Sequence, residues 1–482
     1  MKTLFVALSS SYIHTLLAPR YLAENSPIPV EILETNVNIN IEETIKKIMD
    51  KNPDIVAFSC YIFNFQIIKK LCISLKKIKP EITIILGGYE VETNPENFLD
   101  IADYIIIGEG DFSFGELLQK IENKEKDIPK IVYSEPICDL DTIKSPLTDE
   151  YLELCKINEI IDFESSRGCP FKCSYCMSSN SKGVRFFSLN RVFSELLKIK
   201  HFSPPLVKFV DRTFNTNLDK SLKIFEFIYD NFKDENTRFH FEMSPDLFND
   251  IIFKFLEKIP EGLFQFEIGI QSYNTDVLNN INRHTNLDVV DNNLRRLIDL
   301  KNIPIHVDLI AGLPDENINS FISGFNHLIA FKPNCLQLGF LKILPGSPIS
   351  KNCKGYVFDP NPPYEIKSSP ALSTDDVLLL KNVEYMLNVY YNSGRFTKSI
   401  SYLFDIYKSP FDLFLDIYNF FIEKQIEKQK FEPYQQCDLL YEFATRFLDE
   451  KQLKTLEKHI YFDYISSGNI RRWHRWMKKS FE

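Results

Sequence analysis

Glu164-Ser-Ser-Arg-Gly-Cys169-Pro-Phe-Lys-Cys173-Ser-Tyr-Cys176 is the stretch that decides the fold and chemistry of this 482-residue chain. Its three cysteines have the spacing C-x3-C-x2-C, and they follow a predicted strand at Ile161–Ser165. Three thiolates are one ligand short of a closed structural zinc site or a fully ligated iron–sulfur cluster. The spacing therefore favours a cluster with one open iron. A zinc site completed by one of the eight histidines stays open as the alternative.

The cysteine motif lies in the first of six consecutive βα units. These units predict a (βα)6 part-barrel over residues 136–350. The helical patterns between the strands include Leu189–Lys200, Leu218–Phe232 and Leu287–Leu300. The predicted strands are Ile161–Ser165, Leu206–Val210, Arg238–Glu242, Phe264–Ile270, Ile303–Ile310 and Leu336–Ile343. Reactive groups of such barrels lie at the C-terminal ends of the strands, so we expect the site there.

Upstream, residues 1–135 alternate apolar strands with helical patterns, which predicts an α/β domain with a doubly wound parallel sheet. Ser59 ends the third predicted strand, Gly87 and Gly88 follow the fourth, and Gly108 follows the fifth. Glycines at these positions let a ligand approach the backbone in the crevice of an open sheet. Tight βα turns are the alternative explanation.

Downstream, residues 351–482 begin with a proline-rich stretch and continue as helical patterns dense in Phe, Tyr and Leu, which predicts a helical C-terminal domain. Its tail, residues 471–479, combines both tryptophans with basic residues. Such a tail can bind RNA or a phosphorylated substrate by stacking and charge. It can equally be an amphipathic terminal helix that docks through its tryptophans.

Composition and charge exclude several classes of protein. Lys and Arg total 56 against 66 Asp and Glu, for a net charge of -10, so a nucleic-acid partner is not expected outside the tail. No apolar run is long enough to span a bilayer, and the N-terminus lacks a signal-peptide cleavage site. The ten cysteines are scattered except for the cluster, which is not a secreted disulfide framework. We expect a cytoplasmic protein.

The cysteine motif resembles that of the radical S-adenosylmethionine (SAM) superfamily, in which Tyr175 would fill the aromatic position. The resemblance implies a [4Fe-4S] cluster on Cys169, Cys173 and Cys176 whose open iron binds SAM and cleaves it to a 5'-deoxyadenosyl radical. The flanking residues and the domain order are similar to the subgroup that carries a cobalamin-binding domain before the radical SAM domain.

The same resemblance implies that Tyr175, Glu242, Gln271, Arg283 and Asp308 contact SAM from the barrel strand ends. SAM needs a cation for its carboxylate and acceptors for its ribose hydroxyls. The alternatives are a helix-capping cation for Arg283 and a surface acid for Asp308.

One departure concerns the family's Gly-Gly-Glu after the second barrel strand. Here the segment reads Val210-Asp211-Arg212-Thr213-Phe214-Asn215. Asp211 would either accept a hydrogen bond from the SAM ammonium group or form an internal salt bridge with Arg212.

For cobalamin, the resemblance implies that Ser59, Gly87, Gly88 and Gly108 enclose the nucleotide tail. The D-x-H-x-x-G signature of proteins that ligate cobalt with histidine is absent. His14 lies on the corresponding loop but has no Asp to orient its ring. We therefore expect a hydrogen-bonding loop histidine and base-off cobalamin without histidine ligation.

The resemblance implies a radical enzyme, foremost one that methylates an unactivated carbon by a cobalamin-dependent reaction. A radical rearrangement, cyclisation or oxidation without methyl transfer is the second expectation. A SAM- or cobalamin-binding redox sensor is the third, and would not need the SAM-contacting residues gathered near the cluster. An electron donor such as flavodoxin or ferredoxin is expected. The sequence identifies neither the substrate nor a catalytic residue.

Overall fold

A computed structural model describes residues 1–158, 160–426, 431–468 and 476 of the chain. It confirms a mixed α/β protein with two parallel sheets and a helical C-terminal part. Within these residues, no helix is both long and apolar enough to cross a membrane.

The N-terminal sheet is parallel throughout, with the strand order β2-β1-β3-β4-β5-β6. The sequence predicted five of its strands but missed β6, which lies in the segment interpreted as a proline-spotted connector. The strands are β1 (Thr3–Ser9), β2 (Val30–Asn36), β3 (Ile55–Ser59), β4 (Thr83–Gly87), β5 (Tyr104–Ile107) and β6 (Ile131–Tyr133). Chain order reverses between β1 and β3, which places the ligand crevice of such sheets at their C-terminal ends.

Helices cover both faces of this sheet, because both faces are apolar. Every residue of β1 and β3 is buried. One face packs on a cluster that includes Ile68 and Leu71, and the other packs on a cluster that includes Phe114 and Leu118. The helices are α1 (Leu17–Asn25), α2 (Ile41–Asp50), α3 (Phe65–Ile78), α4 (Tyr89–Glu92) and α5 (Gly110–Glu122).

The second sheet is the predicted part-barrel, with six parallel strands in the order β14-β13-β12-β11-β10-β7 within the described ranges. These strands are β7 (Ile160–Phe163), β10 (Leu206–Phe209), β11 (Arg238–Met243), β12 (Phe264–Gln271), β13 (Ile305–Ala311) and β14 (Cys335–Phe340). A short antiparallel pair, β8 (Ser166–Cys169) and β9 (Gly183–Phe186), follows β7. The sequence did not predict this pair, which brackets the cysteine loop.

Helices pack on the outer face of the part-barrel. Phe264 of β12, for example, lies 4.8 Å from Phe225 between ring centroids. The helices of this region are α6 (Asp149–Asn158), α7 (Leu189–Phe202), α8 (Leu218–Phe232), α9 (Asp250–Leu256), α10 (Thr275–Asn280), α11 (Leu287–Leu300) and α12 (Ile318–Ile329). Alternate residues of β12 and β13 are only half-buried, and these face the concave interior.

The C-terminal region begins with a small hairpin of β15 (Val357–Phe358) and β16 (Ile366–Ser368) and continues as helices. They are α13 (Thr374–Leu387), α14 (Thr397–Ile406), α15 (Pro410–Glu423), α16 (Pro433–Ala444) and α17 (Glu450–Ser466). Most of the basic tail lies outside the described residues. Its Trp476 is described: the ring stacks on Tyr441 at 4.4 Å and the indole N–H donates to Asp438 at 2.8 Å.

Candidate active site

Cys169 ends β8, and Cys173 and Cys176 follow on the loop between β8 and β9. Cys169 and Cys173 are buried and Cys176 is half-buried. The backbone of Cys169 is held by Ser181, whose hydroxyl accepts from the Cys169 N–H at 3.1 Å and donates to its carbonyl. Burial raises the pKa of the Cys169 thiol, and the nearby Cys176 and Cys173 thiols raise it further.

The donor set fits an iron–sulfur cluster chemically, because three neighbouring thiols share one loop and have no disulfide partner. As the side chains stand, no group of three or more Cys, His, Asp or Glu residues in the described ranges encloses a metal ion.

Arg283 brings a buried positive charge to this loop. Its guanidinium lies 3.9 Å from the Cys173 sulfur and donates to the Gly269 carbonyl. Burial opposes the charge, but Tyr175 and Cys173 outweigh it and raise the Arg283 pKa. Its Nε is buried without a hydrogen-bond partner. An unused buried donor beside the cluster loop is suited to an anionic ligand, and helix capping does not account for it.

Glu242 and Asp308 lie on the two strands that flank β12, β11 and β13, and Glu267 lies on β12 between them. Glu242 pairs in register with Glu267 of β12, and Asp308 pairs with Gly269 of the same strand. Burial raises the Asp308 pKa to about 8, helped by Glu267 and Glu242. One Asp308 carboxyl oxygen is buried without a partner. Asp308 is therefore an interior group with an unused acceptor, and the surface-acid alternative is wrong.

Gln271 ends β12 with a φ of 76°, in the left-handed region that costs a non-glycine residue free energy. Its amide nitrogen lies 2.2 Å from where a Cβ on Gly269 would stand, and an Arg283 nitrogen lies 3.9 Å from the same point. Only glycine at 269 leaves this space, so the side chains of Gln271 and Arg283 converge there.

Asp211 does not form the salt bridge with Arg212 that was one of its two expected roles. It is fully buried, and both carboxyl oxygens accept hydrogen bonds from Ser165 and Ser166, including the Ser165 N–H at 3.0 Å and its hydroxyl at 2.7 Å. Each carboxyl oxygen thus accepts at least one hydrogen bond from these serines, and the contact with the SAM ammonium group stays a prediction. Asp211 instead ties β10 to the strand end before the cysteine loop.

A cleft of about 470 Å³ opens next to Tyr175. Its floor is apolar, and its rim is charged and comes partly from the C-terminal region. Lining residues include Tyr175, Ile310, Leu338, Phe340, Lys381 and Glu384. Helix α13 contributes Lys381 and Glu384 to this lining, although nothing local to α13 signals its contact with β14.

The predicted cobalamin residues lie together at the C-terminal edge of the N-terminal sheet. Ser59 pairs in register with Gly87. Gly88 and Gly108 have φ values of 96° and 88°, and a Cβ on either would stand 2.6 Å from a backbone oxygen, of Cys60 and Ser134 respectively. Packing alone thus explains these two glycines. A Cβ on Gly87 would meet nothing closer than 3.5 Å, so the fold does not demand glycine there.

His14 lies on the loop after β1, at the switch point of the sheet. Burial lowers its pKa, and Lys208 of the barrel lowers it further. The next residue, Thr15, shares a 2.8 Å hydrogen bond with Tyr151 of α6. The crevice of the N-terminal sheet therefore opens toward the barrel.

An ion-pair network fixes this junction. Arg167, two residues before Cys169, donates to both oxygens of Asp111 at 2.8 and 3.0 Å and to Glu164 at 3.0 Å. Arg185 of β9 donates to Glu109 at 2.9 Å. The turn after β5 is thereby bound to the strands that carry the cysteine loop.

The structure thus places Arg283 against the cysteine loop that carries Tyr175, and Gln271 converges with Arg283 at Gly269. Asp308 pairs with Gly269 from β13, and Glu242 lies on the opposite side of β12. Sequence reasoning missed the partners inside the barrel, notably Glu267, which lies 3.0 Å from His240. The alternation of polar residues Gln265, Glu267 and Gln271 with buried apolar residues along β12 was the available signal.

Three family models match separate parts of the chain. Residues 6–118 match the B12 binding domain, residues 163–325 match the radical SAM superfamily, and residues 354–482 match a family described as protein of unknown function (DUF4080). The first two matches imply a [4Fe-4S] cluster, SAM and cobalamin as cofactors.

Two curated methyltransferases are similar to part of this chain. The cobalamin-dependent radical SAM methyltransferase TokK of Streptomyces tokunonensis is 26% identical over 62% of this chain. The 2-(S-pantetheinyl)-carbapenam-3-carboxylate methyltransferase of Streptantibioticus cattleyicolor is 25% identical over 62%. The chain spans 48% of the length of each of these relatives.

Solved structures show the same fold. OxsB, a cobalamin-dependent SAM radical enzyme solved with aqua-cobalamin, superposes with a TM-score of 0.66 at 13% identity, over 99% of this chain and 83% of its own. TsrM of Kitasatospora setae, a radical SAM methyltransferase solved with cobalamin and a [4Fe-4S] cluster, has a TM-score of 0.61 at 13% identity. The match covers 97% of this chain and all of that one.

Proposed function

We propose that this chain, which joins a B12-binding domain to a radical SAM domain, methylates an unactivated carbon of its substrate. The carrying observation is that Arg283, whose Nε is buried without a hydrogen-bond partner, lies 3.9 Å from the Cys173 sulfur. Asp308, which has an unused carboxyl oxygen, pairs in register with Gly269, whose carbonyl accepts from Arg283. The crevice of the B12-binding domain opens toward the same barrel. When bound, the cluster and SAM supply a radical, and the corrinoid supplies a methyl group.

Cys169, Cys173 and Cys176 would hold the cluster. Arg283 would bind the SAM carboxylate through its free Nε, since a charge-assisted bond is the strongest contact available there. Asp308 and Gln271 would accept from the ribose hydroxyls, with Glu242 next to them. The apolar cleft beside Tyr175 is suited to the adenine ring.

Ser59, Gly87, Gly88 and Gly108 would enclose the nucleotide tail of cobalamin at the strand ends. Of these, Gly87 supports the proposal most. The surrounding protein would tolerate a side chain at this position, so close approach of a ligand is the reason we propose for a glycine there. His14 would remain a loop residue without a bond to cobalt. The Arg167 and Arg185 ion pairs would hold the two cofactor sites in register and keep water out of the junction.

Several finer assignments complete this proposal. We divide the chain into a cobalamin-binding domain at 1–135, a radical SAM domain at 136–350 and a helical domain at 351–482; the three matched ranges fall inside these bounds. We propose a cytoplasmic location, supported by ten unpaired cysteines, and flavodoxin or ferredoxin as the electron donor. We propose no nucleic-acid partner for the rest of the chain; the basic tail, residues 471–479, is the one segment suited to such a contact.

The two other candidate functions differ in their products. A radical reaction without methyl transfer would use the same SAM site but would not demethylate SAM. A redox sensor would not need the SAM-contacting residues gathered, and the convergence of Gln271 and Arg283 at Gly269 argues against it.

The test is to incubate anaerobically reconstituted protein with SAM, hydroxocobalamin and a strong reductant, and to quantify two products. Methyl transfer through the corrinoid consumes SAM to S-adenosylhomocysteine, and radical generation consumes SAM to 5'-deoxyadenosine. We expect both. Formation of 5'-deoxyadenosine alone would support the radical reaction without methylation. Formation of neither product would support the redox sensor.

A further inference from the structure

Arg212 is the cation in the segment that departs from the family's Gly-Gly-Glu. Its backbone is fixed from both sides. Asp211 is bound to Ser165 and Ser166, and the Thr213 hydroxyl donates to the Arg212 carbonyl at 2.6 Å. The backbone on both sides of Arg212, just after β10, is therefore held by hydrogen bonds.

The Arg212 guanidinium lies where the two cofactor-binding domains meet. Burial opposes its charge, but Tyr89 and Tyr61 of the N-terminal domain and Glu242 and Cys176 of the barrel raise its pKa. Tyr61 follows β3 and Tyr89 follows Gly88, so both belong to the edge where the corrinoid is proposed. Arg212 thus remains a cation between that edge and the cysteine loop.

Within the described ranges, no carboxylate or carbonyl forms an ion pair or hydrogen bond with the Arg212 guanidinium. The residue keeps a solvent-exposed surface, although the surrounding chain partly desolvates the guanidinium. Other arginines at this junction are paired: Arg167 with Asp111, and Arg185 with Glu109. A guanidinium presents a planar fork of donors that matches carboxylate and phosphate oxygens. The unpaired one is the group positioned to receive an incoming anion.

We infer that Arg212 binds a carboxylate or phosphate group of the substrate, which places the reacting carbon between the cysteine loop and the corrinoid edge. This inference rests on the proposed function for its meaning, but the anion site exists whether or not methyl transfer occurs. Arg283 remains the cation for SAM, since it faces Cys173 from inside the barrel.

The experiment measures how fast phenylglyoxal modifies individual arginines in anaerobically reconstituted, corrinoid-loaded protein, read by peptide mass spectrometry. Inorganic phosphate and acetate are the probes, in separate titrations. An anion present at about ten times its dissociation constant should slow Arg212 modification about elevenfold. Arg446, an exposed arginine paired with Glu423 in the C-terminal region, is the internal control and should not respond.

The two titrations distinguish a phosphorylated substrate from a carboxylic acid by which anion protects at lower concentration. Protection of Arg212 by neither anion, or equal protection of Arg446, would overturn the inference. SAM supplies the second arm: if SAM alone protects Arg212 and phosphate and acetate do not compete with it, the residue belongs to the SAM site and the inference is wrong.

Variants separate this site from the cofactors. Arg212→Met should retain iron, SAM affinity and corrinoid at the wild-type level, but it should lose phosphate binding at the junction. Arg212→Lys should restore part of that phosphate affinity. A tenfold loss of SAM affinity, or loss of bound corrinoid, in Arg212→Met would assign the residue to a cofactor instead. Failure of the proposed function would appear separately, as wild-type protein that forms no 5'-deoxyadenosine.

Discussion

The two parallel sheets of this molecule bury their residues in opposite ways. In the N-terminal sheet, β1 and β3 are buried at every position, so the sheet has no free face and can meet a ligand only at its edge. In the part-barrel, β12 and β13 alternate buried with half-buried residues, and the half-buried set includes Glu267, Gln271 and Asp308. The N-terminal sheet therefore offers ligand contacts only at the ends of its strands. The part-barrel presents polar side chains along its whole concave face.

That difference tells where substitutions should act. Changes at the edge of the N-terminal sheet should affect a bound ligand only where the fold leaves room, as at Gly87. Changes inside the barrel should affect the charge balance as well as the ligand, because the acidic groups there influence one another. The predictions below take these two regions in order of expected effect.

The largest effect is expected at the cysteine loop. Cys169→Ala, Cys173→Ala and Cys176→Ala should each abolish the [4Fe-4S] cluster, because a three-thiolate site has no spare ligand. Iron and acid-labile sulfide, measured after anaerobic reconstitution, check this. Cys138→Ala, at an exposed cysteine outside the loop, is the matched control and should load fully. Full iron and sulfide in any loop variant, or stoichiometric zinc in the wild type, would refute the assignment.

At the edge of the N-terminal sheet, Gly87→Ala should weaken corrinoid binding by about 1 to 3 kcal/mol, the usual cost of overpacking a close contact. The added methyl group meets no protein atom within 3.4 Å, so the fold should survive. Retention of hydroxocobalamin after desalting, read from the visible spectrum, is the measurement.

His14→Ala should retain the corrinoid nearly unchanged and base-off, since no bond from His14 to cobalt is expected.

Gly88→Trp should abolish retention of the corrinoid by filling the space of the nucleotide tail. It would, however, strain the backbone against Cys60, so Gly87→Ala is the sharper variant. Undiminished retention of the corrinoid in Gly87→Ala would show that the nucleotide tail does not bind at this edge of the N-terminal sheet.

Inside the barrel, Arg283→Ala should weaken SAM binding by about 1.5 to 3 kcal/mol through loss of a charge-assisted bond, or about 10- to 150-fold. Asp308→Asn and Gln271→Ala should lose less, because one partner in each contact is neutral. Equilibrium dialysis with labelled SAM checks the order. An Arg283→Ala protein that folds and binds SAM normally would show that this arginine is structural.

The prediction with the smallest effect on a bound ligand concerns stability against pH. With a folded-state pKa of about 8 and an unfolded value of about 3.9, native Asp308 keeps a proton that the unfolded chain releases. Its contribution therefore lowers the free energy of unfolding as pH rises from about 4 to 8, and is constant above. Asp308→Asn should remove that part of the slope.

Urea unfolding across this pH range, with identical cofactor loading, is the measurement. Asp299→Asn, at an exposed acid of α11, is the control and should keep the wild-type slope. Parallel curves for wild type and Asp308→Asn would contradict the raised pKa.

Much of the fold could be predicted because its signals are local. The strands of both sheets follow from β-branched runs, and α11 has the predicted bounds, Leu287–Leu300. β6 was missed because Ile131–Tyr133 has only three residues in a proline-spotted segment. The β8–β9 pair was missed because Gly168 and Gly183 do not resemble strand residues.

The site could be predicted only where one motif carries it. The cysteine spacing signals a cluster by itself, and strand ends locate Glu242 and Gln271. Contacts between distant segments left no such trace: Asp211 with Ser165, Arg167 with Asp111, and α13 with the cleft beside Tyr175. The free state of Arg212 was equally hidden, because its adjacent Asp211 suggested a pair that long-range hydrogen bonds prevent.

The most direct test of the central claim is the formation of 5'-deoxyadenosine from SAM by the anaerobically reconstituted, chemically reduced protein. The account predicts that the wild type forms it, that Cys138→Ala forms it at the same rate, and that Cys173→Ala forms none. A fully cluster-loaded wild type that binds SAM but yields no 5'-deoxyadenosine, or a Cys173→Ala variant that yields as much as the wild type, would contradict it.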